Sequence, residues 1–164
     1  MTTYILYTTK HGTTKYVAND LAKQLTGKTI LINLKEQNEI DLSEANMIIL
    51  GASIYVGKVQ KEMKQFIDAH LEQLLTKPIG LFLCAGHPDK NVVKREMQAA
   101  YSEKLRKHAT SFLLPGYIYD FSKLHTLERL IVKKIVGIKE SRHHLDTAAI
   151  KQFTSEINKE RYIP

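Results

Sequence analysis

Cysteine occurs once, at Cys84, so neither an internal disulfide framework nor a multi-cysteine zinc or iron–sulfur centre can be built. No run of about 18 apolar residues occurs, which leaves no candidate for a spanning helix. The opening MTTYILYTTKHG lacks the basic start and long apolar stretch of a secretory leader, so the cytoplasm is the expected compartment. Internal repeats and Ser/Gly/Pro-rich linkers are missing too, and one domain over residues 1–164 is expected. Acidic residues are in the minority: 17 Asp+Glu stand against 24 Lys+Arg, a formal balance of +7. Such a surface favours anionic partners. Nucleic acid is disfavoured among them, because the basic residues are not interleaved with aromatics in a reader motif. The pair His143-His144 lacks further ligands at metal spacing, so no metal site is expected. With 43% apolar and 25% charged residues, the chain has the composition of a folded globular protein.

What is present alternates between strand and helix patterns. Thr3 to Thr8 is a short β-favouring run. Thr14 to Leu25 is helical by period, with Val17, Leu21 and Leu25 four apart. Thr29 to Leu34 and Asn46 to Leu50 read as strands, the second buried on both faces. Val59 to Leu75 reads as a helix, Ile79 to Cys84 as a strand, and Asn91 to His108 as a polar helix. Ser111 to Ile118 is a fifth strand, with Pro115 and Gly116 marking an end, a bulge or an edge. Ser122 to Ile138 is a helix rich in Lys and Arg, and Asp146 to Asn158 closes the chain, with Asp146 as its N-cap. Strands separated by helices predict an α/β fold: a parallel five-stranded sheet with helices on both faces.

In such sheets ligands sit outside the carboxyl ends of the strands. The first strand-end loop, Thr8 to Thr14, carries four threonine hydroxyls beside Lys10, His11 and Gly12. Hydroxyls and free backbone N–H groups at a helix start suit an anion. The same threonines would also serve as a plain turn and cap. A Rossmann loop needs three glycines where this has one, and Gly51 to Val59 fails as a Walker A loop.

The stretch Ile5 to Leu21 resembles the flavodoxin signature, with Thr9, Gly12, Thr14, Ala18 and Leu21 at its fixed positions. The resemblance implies a three-layer αβα sandwich with strand order 2-1-3-4-5. It also implies FMN, whose phosphate would be held by Thr9, Thr14 and the backbone from Lys10 through His11, Gly12 and Thr13. The second flavin loop falls on Ala52, Ser53, Ile54, Tyr55 and Gly57, with Tyr55 stacking on the ring. The third falls on Cys84, Ala85, Gly86 and His87. Gly51-Ala52-Ser53-Ile54-Tyr55 resembles a narrower branch, the quinone-dependent protoporphyrinogen dehydrogenases of haem synthesis. That implies a tetrapyrrole or other small redox substrate, and a quinone or redox protein as acceptor. An extra basic segment at about 120–145, with Leu124, Leu127, Ile131, Ile135 and Ile138 between Lys123, Arg129, Lys133, Lys134 and Lys139, fits peripheral contact with the inner face of a membrane. It fits equally an ordinary helix with a solvated face. The alternative function is a flavodoxin-like electron carrier for a protein reductase, although simple flavodoxins are acidic and this chain is basic. The residues name no catalytic acid or base.

Overall fold

The computed structural model describes the chain except Asn38, Val56, Pro88, Phe121, Lys123, Leu124, Val136, Ile138, Lys139 and residues 161–164. Five strands form the parallel sheet: β1 (Thr2–Tyr7), β2 (Lys28–Asn33), β3 (Met47–Tyr55), β5 (Ile79–Cys84) and β6 (Ser111–Leu113). Their spatial order is β2-β1-β3-β5-β6, and a two-residue strand, β4 (Lys58–Val59), folds back antiparallel on β3. Discounting β4, this is the expected order. Flanking the sheet are α1 (Thr13–Gln24), α2 (Lys61–Leu74), α3 (Lys90–Ala100), α4 (Glu103–His108) and α6 (Thr147–Glu160).

Strand parity explains the three layers. Successive residues of a strand face opposite sides. Tyr4 and Leu6 of β1, Ile48 and Leu50 of β3, and Leu81 and Leu83 of β5 enter one core with Met63, Phe66 and Ile67 of α2. Ile5 and Tyr7, Met47 and Ile49, and Phe82 and Cys84 enter the other with Val17 and Leu21 of α1 and Phe153 and Ile157 of α6. Each fully buried aliphatic or aromatic side chain stabilises by roughly 1.5–3 kcal/mol. The cross-strand partners Gly51 and Phe82 show how tight the fit is. A Cβ on Gly51 would lie 2.1 Å from the Phe82 ring.

Four expectations need correction. The second helix starts at Lys61, because Val59 pairs with Ile54 in β4. The helix expected over Asn91 to His108 breaks at Tyr101. That side chain is buried, and its hydroxyl donates to the carbonyls of Phe82 at 2.7 Å and Leu50 at 3.1 Å. The hydroxyl of Ser102 then caps α4 by accepting from Leu105 N.

The fifth strand splits. After β6, Gly116 (φ 96°) opens β7 (Gly116–Tyr119), which leaves the sheet and pairs antiparallel with β8 (Arg142–Leu145). Any side chain at Gly116 would meet the His144 carbonyl oxygen at 2.2 Å, so glycine is required there for space as well as for φ. The extra basic segment therefore rises from a two-stranded stem, and within it α5 spans Thr126–Ile135 rather than Ser122 to Ile138. Lys123, Leu124, Ile138 and Lys139 lie outside the described residues. Asp146 caps α6 as expected, accepting from Ala149 N at 2.9 Å.

Candidate functional site

The three candidate loops converge at the carboxyl ends of β1, β3 and β5. The first runs from Thr8 to Gly12. Gly12 adopts φ 95°, a left-handed conformation open to glycine at little cost. Nothing lies within 4 Å of where its Cβ would be, so the space above it is open. The Gly12 N–H donates to Thr9 Oγ1 at 3.0 Å. That amide is thus engaged inside the loop. The first turn of α1 has no acidic residue and no side-chain cap. Its free N–H groups and dipole favour an anion.

Thr14 is fully buried, and its hydroxyl has no hydrogen-bond partner among the described nitrogen and oxygen atoms. It lies beside the Cys84 thiol and slightly favours the thiolate, yet burial dominates and pushes that thiol up to about 12. Cys84 is therefore a neutral core group rather than a nucleophile. A buried hydroxyl without a partner costs about 1–3 kcal/mol. An acceptor seated at this loop would relieve that cost. Thr13 is engaged elsewhere. Its hydroxyl donates to the Ile118 carbonyl at 3.0 Å, which ties the loop to the β7 stem.

The second loop is shorter than expected: β3 runs on through Tyr55 instead of ending at Leu50, so Ala52, Ser53, Ile54 and Tyr55 are strand residues, and the chain then makes a tight return. Ile54 pairs with Val59 and Tyr55 with Lys58, and Gly57 between them takes φ 70°. Ala52 belongs to the core and Ile54 packs against it. These two can offer a ligand only backbone. Tyr55 faces the first loop. The Lys10 ammonium sits 3.3 Å from its ring centroid, and the His11 ring is 5.5 Å away, tilted by 55°. The cation–π contact is worth about 0.5–1 kcal/mol. An aromatic face and a cation thus stand together over the loop.

In the third loop Ala85, Gly86 and His87 are half-buried. His87 Nδ1 accepts from Asp89 N at 3.0 Å, so in the neutral ring the proton is on Nε2. Asp89 in turn caps α3 through Asn91 N at 2.8 Å.

Two further residues carry the geometry, and neither was legible in the motifs. Gln60 joins the first two loops: its Oε1 accepts from Thr8 Oγ1 at 3.0 Å, Ser53 Oγ at 3.2 Å and Ser53 N at 3.3 Å. Glu96 of α3 is buried, which raises its carboxyl above the ordinary range, while the nearby His87 opposes the rise. A glutamine after a two-residue strand has no periodic signature, and a lone glutamate in a polar helix reads as solvated. His143 and His144 are exposed on β8. His143 packs edge-on against Tyr16 of α1 at 5.5 Å, and His144 lies 5.6 Å from Tyr117.

A doubly wound αβα sandwich with three loops at the carboxyl ends of adjacent strands is the class of protein so defined. The model of the flavodoxin domain family matches residues 4–146. The chain belongs to that family. It is 26% identical over 171 residues to a protoporphyrinogen IX dehydrogenase [quinone] from Leishmania major, covering 93% of this chain and 73% of that one. Among solved structures it is similar to flavodoxin 1 from Bacillus cereus (TM-score 0.58, 14% identity, 100% of both chains). It is similar also to the Fusobacterium nucleatum flavodoxin bound to flavin mononucleotide (TM-score 0.58, 16% identity, 97% of this chain and 98% of that one).

Proposed function

We propose that the chain is an FMN-dependent oxidoreductase of the protoporphyrinogen dehydrogenase type, passing electrons from a reduced tetrapyrrole to a quinone. The observation that carries the cofactor is the buried Thr14 hydroxyl, without a nitrogen or oxygen partner among the described residues, in the first turn of a helix that has no side-chain cap. The neighbour from F. nucleatum binds FMN in a fold of the same topology. The observation that favours the branch is the 26% relative, together with the +7 balance.

The residues divide the work. Thr9, Thr14 and the first N–H groups of α1 hold the phosphate, and Lys10 adds positive charge. Tyr55 would offer a face for the ring, while Ser53, Ala85 and Gly86 would line its edge with small side chains and backbone. His87, whose neutral ring carries its proton on Nε2, would donate at that edge. FMN supplies the two-electron exchange; the protein supplies orientation and electrostatics. Arg129, Lys133 and Lys134, on the stem-borne helix α5, are exposed and match an anionic partner, either substrate carboxylates or lipid headgroups at a membrane surface. No described helix is long and apolar enough to cross a membrane.

The test is anaerobic. FMN bound to the protein should bleach on addition of protoporphyrinogen and recover its colour with a menaquinone analogue. Binding of FMN without bleaching removes the tetrapyrrole assignment. It then favours the second reading, an electron carrier for a protein reductase. The full-length likeness to flavodoxins is the observation behind that reading.

A further inference from the structure

We infer that Gln60 is a ligand-binding residue whose side-chain amide donates to an uncharged acceptor of the flavin, a ring carbonyl or a ribityl hydroxyl. This rests on the FMN reading above. Gln60 sits between β4 and α2 with extended backbone (φ −61°, ψ 141°), so its side chain is free of helical packing and turns toward the sheet. Three donors converge on its Oε1: Thr8 Oγ1, Ser53 Oγ and Ser53 N. A backbone N–H can only donate. The oxygen of the amide must therefore face Ser53, and the NH₂ must face the other way. The end so placed, Nε2, is buried and has no partner among the described residues.

The position matters as much as the missing partner. Thr8 follows β1 and Ser53 lies near the end of β3, two adjacent strands of the sheet. The amide spans their carboxyl ends, where an open parallel sheet receives its ligand. A buried donor without an acceptor costs about 1–3 kcal/mol, a penalty an apolar side chain of similar volume would avoid. The phosphate already has the threonine loop and the N–H groups at the start of α1. The acceptor the amide suits is a neutral oxygen or nitrogen elsewhere on the same molecule. Gln60 then has two roles: its oxygen locks the first two loops together, and its nitrogen reads the ligand.

The experiment uses the full-length protein, FMN and riboflavin. In ¹⁵N-labelled protein the Gln60 side-chain NH₂ pair should shift when either flavin saturates the site. Gln60→Glu keeps the shape and the accepting oxygen but replaces the donor by an oxygen. It should weaken both flavins at least tenfold, with the fold of the flavin-free protein retained by circular dichroism. If Gln60→Glu does not fold, the NH₂ shift in the unmutated protein decides alone, assigned through its own backbone. Flavin binding with an unmoved NH₂ pair overturns this inference and leaves the cofactor reading intact. Failure of the unmutated protein to bind either flavin overturns both.

Discussion

The two ends of the sheet treat their polar groups differently. At the amino end they are paired. Asn46 Oδ1 accepts from Thr2 N at 2.7 Å, Lys77 Nζ donates to the Ala45 carbonyl at 2.6 Å, and His108 Nε2 meets the Lys77 carbonyl at 2.8 Å. Toward the carboxyl end, Gln60 Nε2 and, beside the third loop, Glu96 Oε2 are buried without partners among the described residues, and Thr14 Oγ1 has only the Cys84 thiol. Thr29 Oγ1, near the start of the edge strand β2, is the exception. Native proteins pair the great majority of buried polar groups. On the function proposed above, the gathering of such groups around three loops is where the fold gives up stability for binding.

The sharpest break of this comparison is a change that ignores it. Gly51→Val puts side-chain atoms into the Phe82 ring and should cost about 3 kcal/mol, lowering the melting temperature equally with and without FMN. Next come paired changes, one at each end. Thr14→Ala should lower FMN affinity at least tenfold in a fluorescence titration while changing the stability of the flavin-free protein little, since the hydroxyl has only the Cys84 thiol beside it. Lys77→Met should do the reverse: about 1 kcal/mol off the unfolding free energy and no change in flavin affinity. Equal loss of affinity in both variants would erase the distinction between the ends.

The smallest effect is a pH dependence. Burial raises the Glu96 carboxyl in the folded protein. A raised carboxyl contributes stability that is intact below the unfolded value, about 4.3, and is lost as pH rises through the folded value. Glu96→Gln should match the parent protein in urea midpoint at about pH 4 and exceed it at about pH 7–8. A difference that is constant with pH would mean that the carboxyl ionises freely in the folded state.

Much of this was legible beforehand, and the reasons are local. The apolar runs of β1, β3 and β5 announce strands, that of β3 one buried on both faces, and the spacing of Val17 and Leu21 announces α1. The threonine loop stands out because its residue types and its place between strand and helix are contiguous in the chain. The β7–β8 stem was not legible. Arg142 to Leu145 has no β-favouring apolar pattern, and it is a strand only because it finds β7 across the whole insertion. Nor was the break at Tyr101, where helical periodicity runs on but two sheet carbonyls capture the hydroxyl.

By itself, then, the order of residues determined the alternation of elements, the parallel sheet and the loop chemistry at its first strand end, because each depends on neighbours within a few positions. Tertiary structure alone decided which groups close the site. Gln60 reaches Thr8 across 52 positions, and Thr13 reaches Ile118 across 105. Contacts of that span leave no periodic trace; they exist only once packing has brought distant backbone into register.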